Sequence, residues 1–416
     1  MTCVLKDLIE VSKDGEWGGG EPSEESVEML CIRGTDFEAV RFGDTVSTPH
    51  RHISQRIAER KKLQPWDLLI EAAGGTKGQI TGRTVLLRPM LFNRSELPIT
   101  CASFSRFIRL KTNLCDPQFM FWYLQYLYHA GFMHAYHTQH TGVARFQWTT
   151  FSEREPLQIP GLPAQRRIAD ILSAYDELIE NNQRRIKILE EMARSLYREW
   201  FVHVRFPGHN KVKMVSSPLG PIPQGWEVKT LGEIAEDMRR NVPKGELDEP
   251  RPCVGLEHIP RRSLPLDAWE MVTKLGSNKL EFEKGEVLFG KIRPYFHKVS
   301  VAPFAGVCSA DTIVIRARRP EQYAFVVACV SSDAFVAQAS ATANGAKMPR
   351  ANWEVLKEYN IVISAGQVAQ QFSTLFTDII ALQQALIFQI QNLRRTRDLL
   401  LPRLFSGQVN IEALNA

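Results

Sequence analysis

A long heptad pattern that occurs twice constrains the fold of this chain more than any other feature. Between residues 164 and 201, one row of mostly apolar side chains recurs every seven positions, and a second row follows each member by four. The same two rows return near the C-terminus, with Phe372 in the place of Ile168. Two seams of equal length predict two long helices that pack on each other. The predicted seam residues are Ile168, Leu172, Tyr175, Ile179, Asn182, Ile186, Leu189 and Leu196 on the first helix, and Phe372, Phe376, Ile379, Leu386, Ile390, Leu393 and Leu400 on the second.

Polar side chains interrupt the seams at Asn182, Gln383 and Arg397. A polar group in an apolar seam favours the register in which it finds a partner, so Asn182 is expected to help fix the pairing. At about 1.5 Å per residue, each helix is on the order of 55 Å long, the length of a spacer.

The segments before the two helices also correspond, which predicts an internally duplicated protein. Each globular half reads as α/β, because short β-rich runs (85–87, 312–315) alternate with apolar helical runs (119–128, 323–330). The matching segments are 4–8 with 227–231, 66–70 with 285–289, 99–102 with 306–309, and 141–145 with 344–348. The predicted boundaries are a first domain at 1–160, a helix at 161–207, a Pro- and Gly-rich linker with a second domain at 208–364, and a second helix with its tail at 365–416.

Four stretches now carry a family resemblance: LPAQRRIA at 162–169, WEVKTLG at 226–232, EVLFGKIRP at 286–294 and LPRLFSG at 401–407. In this order and spacing, the chain resembles the specificity subunit of type I restriction–modification systems over nearly its whole length. It departs from the family pattern at 8–9, where the opening Trp and Gly are missing, and at 364–367, which lacks the prolines found at 159–163. The N-terminal half is therefore the more diverged one.

The resemblance implies two target recognition domains that each read half of a split double-stranded DNA site, with the two helices antiparallel between them. It implies no catalysis and no bound cofactor in this chain. The partners would be two adenine methyltransferase (M) subunits, which use S-adenosylmethionine, and motor–nuclease (R) subunits, which use ATP and Mg²⁺. The implied location is the cytoplasm, without a membrane.

Charge and glycine placement suggest which loops contact DNA. The net charge is only +5, but basic residues outnumber acidic ones between residues 41 and 160, which would suit a phosphate-facing surface. Loops at 74–83, 142–147, 291–298 and 345–350 combine glycine, proline or aromatic residues with basic and amide side chains. Ordinary solvated hairpins are the alternative for each of them. The candidate contacts are Lys77, Gln79, Thr81, Arg83, Arg145, Gln147, Lys291, Arg293, Tyr295, His297, Lys298, Lys347 and Arg350.

Catalytic and metal motifs are weak or missing. We find no N-P-P motif for a flipped adenine, no G-x-G-x-x-G turn and no P-loop. Asp44, Glu59 and Lys61 could be read as the paired carboxylates and lysine of a nuclease site. Such a spaced D…E-x-K pattern arises often by chance, so no nuclease site is predicted. The run at His134, His137 and His140 could place three imidazoles on one helical stripe, but no acid or thiol stands nearby, so no metal site is predicted.

Composition is that of an ordinary globular protein, with 44% hydrophobic and 23% charged residues. Seven scattered cysteines without a C-x-x-C pair favour reduced thiols. We find neither an apolar leader nor a long apolar run, so neither a signal peptide nor a membrane span is predicted. A different class stays open: a coiled-coil scaffold that joins two protein-binding domains without reading DNA. Sequence-dependent DNA affinity would separate the two hypotheses.

Overall fold

The computed structural model describes residues 2–74, 79–139 and 142–409. The chain divides into two compact units, and both long helices are shared between them. Unit 1 comprises Met1–Glu180 with Asn392–Ala416, and unit 2 comprises Asn181–Gln391.

Unit 1 is built on a mixed set of short strands. Its strands are β1 (Thr2–Val4), β2 (Ile9–Asp14), β3 (Ser26–Ile32), β4 (His50–Ser54), β5 (Leu68–Glu71), β6 (Ala73–Gly74), β7 (Thr84–Leu86), β8 (Ile99–Cys101), β9 (Ser105–Leu110), β10 (His137–Thr138), β11 (Ala144–Phe146) and β12 (Pro156–Gln158). The central antiparallel sheet has the order β2-β9-β5-β7, and a second sheet, β4-β3-β8, contains one parallel pair.

The helices of unit 1 lie on both faces of its central sheet. They are α1 (Leu5–Leu8), α2 (Phe37–Arg41), α3 (Gln55–Lys61), α4 (Pro89–Arg94), α5 (Pro117–His129), α6 (Trp148–Arg154) and the first half of α7 (Leu162–Tyr197). Successive residues of β5 point to opposite faces, so Leu68 and Ile70 pack with Phe119 of α5, while Leu69 packs with Phe107 under the second sheet. Burial on both faces explains why the first three residues of β5, Leu68 to Ile70, are all apolar.

Unit 2 repeats this plan. Its strands are β13 (Met214–Val215), β14 (Ile222–Pro223), β15 (Glu227–Thr230), β16 (Ala235–Asp237), β17 (Asn241–Val242), β18 (Gly245–Val254), β19 (Glu270–Leu275), β20 (Lys279–Phe282), β21 (Val287–Gly290), β22 (Val299–Val301), β23 (Gly306–Ser309), β24 (Thr312–Ala317) and β25 (Asn360–Ile363). Its helices are α8 (Leu231–Ile234), α9 (Tyr323–Val330), α10 (Asp333–Ala341), α11 (Trp353–Leu356) and most of α12 (Gly366–Phe405), with the second half of α7.

Strand order and direction match between the units, so the predicted duplication is present in the fold. The sheet β16-β24-β21-β22 corresponds to β2-β9-β5-β7, and the parallel pair β18/β23 corresponds to β3/β8. The outer pair β15/β25 corresponds to β1/β12. Segments 99–102 and 306–309, matched in the sequence, fall on the parallel partner strands β8 and β23.

Helices α7 and α12 pack antiparallel in each unit. In unit 2, the Phe372 ring lies 4.7 Å from that of Phe201, just beyond the end of α7, while Asn182 Nδ2 donates to Gln389 Oε1 at 3.4 Å. In unit 1, Arg397 Nη1 donates to Asp176 Oδ1 at 2.5 Å. As the residue numbers of α12 rise, the numbers of the α7 residues that they contact fall, which is the pattern of antiparallel packing.

The buried rows of α12 differ from the predicted seam by one position in places. Phe376, Gln383, Ile390, Arg397 and Leu404 are all buried. The other buried row includes Ile380, Ile387 and Leu401. Among the residues predicted for this row, Phe372 and Leu386 are buried, but Ile379, Leu393 and Leu400 are only half-buried.

On α7, the predicted Ile168, Leu172, Ile179, Asn182 and Ile186 are buried, but Tyr175, Leu189 and Leu196 are only half-buried. Three acidic residues, Asp176, Glu180 and Glu190, are buried beside them, and Arg88 Nη2 pairs with Glu180 Oε2 at 2.6 Å. Burying a carboxylate requires partners. Arg397 and Arg41 supply them for Asp176, and the backbone N–H of Leu264 donates to Glu190 at 2.8 Å.

Length and composition alone would allow α12 to cross a membrane, with a mean hydropathy of 1.2 in its most apolar stretch, and the bent pair Pro320–Val330 and Asp333–Ala341 passes the same test. No membrane span was expected from the sequence. In the structure, Phe372 and Phe376 of α12 are buried in the aromatic core of unit 2.

Candidate nucleic-acid interface

In unit 2, the loop after β21 and the turn before α11 join into one surface, which we call loop surface 2 (residues 291–298 with 344–351). The backbone N–H of Arg293 donates to the Pro349 carbonyl at 2.7 Å, and that of Ala351 donates to the Lys291 carbonyl at 2.9 Å. An isolated bridge pairs Ile292 with Arg350. Two segments separated by about fifty residues in the sequence are therefore held as a single unit.

Loop surface 2 brings several predicted residues together. Tyr295 is 52% exposed, and Lys347 and Arg350 are exposed. Arg293 is half-buried, and its Nη2 donates to the Lys347 carbonyl at 3.4 Å. Lys291 Nζ donates to the Ala310 carbonyl at 3.2 Å. The result is a cluster of cations whose nearest acidic partner is Asp311, 3.3 Å from Arg350 Nη2.

Two predicted contacts of this loop point inward instead. The His297 side chain is buried, with Nε2 2.9 Å from the Ser331 carbonyl oxygen. Lys298 Nζ donates to the Leu256 carbonyl, and burial lowers the pKa of this lysine. Both side chains therefore have partners within unit 2, and their contact with DNA stays a prediction.

Unit 1 has an equivalent arrangement, loop surface 1 (residues 72–74 and 79–83 with 142–147). Strand β11 pairs with β6, placing Arg145 opposite Ala73, and the Phe146 N–H donates to the Ala72 carbonyl at 2.9 Å. The exposed predicted residues are Gln79, Arg145 and Gln147. Lys77 lies outside the described residues.

Beside loop surface 1 is a cleft of about 650 Å³. Arg106 stacks over the Trp148 ring at 5.4 Å and pairs with Asp14 at 2.7 Å. Phe104, on its rim, is 58% exposed. Sequence reasoning missed this cleft, because its residues come from four separate segments that the β2–β9 and β6–β11 pairings bring together.

Two other predicted residues of unit 1 hold the loop in place. Arg83 forms a bidentate ion pair with Glu71, with distances of 2.9 and 2.7 Å, and this hydrogen bonding raises the pKa of Arg83. Thr81 is fully buried, and its hydroxyl lies 3.0 Å from His137 Nδ1. Both side chains thus have partners within unit 1, and their contact with DNA stays a prediction.

The two surfaces match through their bridges. Arg145 pairs with the segment after β5, and Arg350 pairs with the segment after β21. The structural counterpart of Arg145 is therefore Arg350, whereas the sequence comparison had placed Met348 there.

Within the described ranges, no three His, Cys, Asp or Glu side chains are grouped so that they could hold a metal ion. His134 is exposed in a 3₁₀ turn, His137 belongs to β10, and His140 lies outside the described residues. The single helical stripe that was considered for these histidines is not present for the first two. Cysteines 31 and 308 are free and buried, and burial raises the pKa of each to about 12.

Comparison with known proteins agrees with this architecture. A family model described as the type I restriction modification DNA specificity domain matches residues 90–191, from α4 through most of α7. The MjaIX specificity subunit of Methanocaldococcus jannaschii is 27% identical over 309 residues, which is 70% of this chain and 70% of that protein. The chain is therefore similar in sequence to the specificity subunits of type I restriction–modification enzymes. Such subunits are the specificity components of type I restriction enzymes and are not catalytic.

Other relatives support the same assignment. The EcoDI specificity subunit of Escherichia coli is 28% identical over 143 residues, covering 34% of this chain and 31% of that protein. The crystal structure of the S subunit from M. genitalium superposes with a TM-score of 0.58 and 14% identity, over 97% of this chain and 96% of that one. At this identity, the superposition supports the fold: two α/β units and two long helices packed together.

Proposed function

We propose that loop surfaces 1 and 2 each read one half of a bipartite double-stranded DNA site. The observation that carries the proposal is the equivalence of the two surfaces. Arg145 pairs with the segment after β5, and Arg350 pairs with the segment after β21, which is the equivalent strand of unit 2. A duplicated reader suits a target with two specified ends.

The exposed groups have the chemistry that such reading needs. Arginine can donate two hydrogen bonds to guanine, and glutamine can pair with adenine, while lysine neutralises phosphates. Loop surface 1 offers Gln79, Arg145 and Gln147 for this purpose. Loop surface 2 offers five groups: Lys291, Arg293, Tyr295, Lys347 and Arg350.

Contact with DNA would replace the Asp311 partner of Arg350 by a phosphate or a base edge. The ion pair is mostly exposed, with Arg350 58% accessible, so exchanging its partner costs little. Binding should weaken steeply with salt, because each neutralised phosphate releases counterions.

The antiparallel helices are proposed to set the spacing of the two half-sites. Helix α7 has 36 residues, on the order of 54 Å at 1.5 Å per residue. The centre of the target would then be unread, as in a DNA site contacted by two readers on one duplex.

The long helices also carry apolar side chains outside their shared seam. Ile188 and Met192 on α7, and Leu375 and Leu382 on α12, are each more than 40% exposed. Exposed apolar groups that form a contiguous patch can serve as a protein interface. We assign them to docking of adenine methyltransferase subunits, which would bring S-adenosylmethionine, while motor–nuclease subunits would bring ATP and Mg²⁺. Methylation at the site would then protect host DNA in the cytoplasm.

Selection from random duplexes by the purified complex with its methyltransferase tests the proposal. The expected product is two short conserved blocks with an unspecified centre. The Arg293→Ala variant should lose information in one block only. Arg205→Ala, which removes an exposed pair with Glu199 outside both surfaces, is the matched control and should select the wild-type sequence. A single continuous block would refute bipartite reading, and binding without sequence preference would favour the scaffold alternative.

A further inference from the structure

The loop of surface 2 has an unusual backbone. Arg293 and His297 have φ of +49° and +52°, and neighbouring Arg262 has φ of +56°. This left-handed region is sterically unfavourable for side chains other than glycine. Surrounding contacts must therefore impose the conformation, and such strain often occurs where a loop has to hold a functional shape.

The backbone of His297 connects several parts of the loop. Its N–H donates to the Pro294 carbonyl at 2.8 Å, closing the 3₁₀ turn that carries Tyr295. Its carbonyl accepts from the Arg262 N–H at 2.8 Å, and the adjoining Lys298 carbonyl accepts from Gly290 at 2.9 Å. His297 is thus the residue at which the loop returns to the sheet.

The His297 imidazole is 5% exposed and fixed to unit 2. Its Nε2 lies 2.9 Å from the Ser331 carbonyl oxygen. Since a carbonyl only accepts, Nε2 carries the proton. Nδ1 lies 3.4 Å from Asp333 Oδ1 and, among the residues that the structure describes, has no partner with hydrogen-bond geometry.

We propose that His297 is a positioning residue: its buried ring anchors the 293–298 loop to the Ser331 carbonyl, so that Arg293 and Tyr295 face the DNA. The inference rests on the proposed function and names a residue on which reading of the second half-site depends. In this role, His297 itself does not touch DNA.

The surroundings of the ring provide a second signature. Asp333 on α10, Arg262 on the preceding loop and Arg194 on α7 are the charged groups that face it. Burial is the main cause that lowers the pKa of His297. Because burial disfavours the charged ring, protonating Nδ1 destabilises the packing that holds the loop, although Asp333 Oδ1, which already accepts from Arg262 at 2.9 Å, lies 3.4 Å from Nδ1. Reading of the second half-site should therefore weaken as pH falls through the pKa of the ring.

Three forms of the full chain, each in complex with its methyltransferase, test the proposal on the duplex selected above. His297→Phe keeps the ring volume and removes the hydrogen bond. His297→Asn keeps a donor and tolerates the left-handed backbone. Binding is measured on the selected duplex and on duplexes altered in one half-site, over a series from about pH 8 to about pH 5, because the pKa of this ring lies below the ordinary histidine value.

The expected result for His297→Phe is a roughly 5- to 100-fold loss of discrimination at the second half-site, the range for one misplaced base-reading side chain. Discrimination at the first half-site should be unchanged, which controls for folding and assembly. His297→Asn should recover part of the loss and bind with a flatter pH dependence than the wild type.

Unchanged discrimination in His297→Phe would overturn the inference and leave bipartite reading intact. Equal losses at both half-sites would also overturn it, because they indicate a general folding role. If the wild-type complex itself ignores the second half-site, the proposed function and the inference both fail.

Discussion

Replacing Asp176 by alanine should be among the most destabilising single changes in unit 1. Asp176 accepts from Arg41 Nε at 2.7 Å and from Arg397 Nη1 at 2.5 Å, which connects α2, α7 and α12. The side chains of Asp176 and Arg397 are only 8% and 11% exposed. The variant would leave two guanidinium groups facing each other in the interior.

The size of the effect follows from these contacts. Hydrogen bonds to charged groups contribute about 1.5–3 kcal/mol each, and breaking a buried ion pair from one side costs about 3–5 kcal/mol. Arg397 keeps a second partner in Asp398 at 2.8 Å, and Arg41 keeps its stacking on Trp122 at 5.0 Å. These contacts put the expected loss near the lower limit, at about 3 kcal/mol.

Urea unfolding followed by circular dichroism measures the loss, with Glu199→Ala as the control. Glu199 pairs with Arg205 at a similar distance of 2.6 Å, but both side chains are exposed, so its removal should have little effect. A double-mutant cycle with Arg397→Ala should show strong coupling to Asp176. A loss below about 1 kcal/mol, no larger than for an exposed pair, would refute the reasoning from burial.

Three further predictions concern other described contacts. Gln165→Ala should cost about 1–3 kcal/mol in denaturant unfolding, because the buried amide accepts from the Asp116 N–H at 2.9 Å and donates to two carbonyls; a neutral result would contradict this. Burial lowers the pKa of both His129 and His297, so their contribution to stability is complete above about pH 6.5 and lost as pH falls through the folded-state values. Thermal melting from neutral to mildly acidic pH should show this decline, and replacing both histidines by asparagine should flatten it; an unaltered curve would argue against it. In DNA titrations at several salt concentrations, Arg293→Ala should reduce the log–log slope by about 1 if the side chain meets a phosphate, and an unchanged slope would exclude that contact.

The sequence was most informative where a pattern repeats. Heptad spacing predicted both long helices, and paired segments predicted two α/β units, because periodic burial leaves a periodic trace. Which residues of each helix face the partner helix was harder to predict from the sequence. Tyr175 and Leu189 look like better core residues than Asp176 and Glu190, and only the arrival of Arg397, Arg41 and the Leu264 amide from distant segments makes those carboxylates interior.

Candidate DNA contacts were harder to predict for a related reason. A basic side chain in a loop can face solvent or satisfy an internal acceptor, and local sequence does not separate the two. The Arg83 side chain is paired with Glu71, whereas the Arg145 side chain in the same loop surface is exposed. His297 is buried because its backbone turns inward, a conformation that no local residue preference predicts.

Methylation mapping tests the central claim most directly. Genomic adenine methylation would be compared between cells expressing this chain with its methyltransferase and cells expressing the methyltransferase alone. The account predicts one split motif that is methylated only when the chain is present, with one half altered by substitutions in loop surface 1 and the other half by substitutions in loop surface 2. A motif that persists without the chain, or that either set of substitutions changes as a whole, would contradict it.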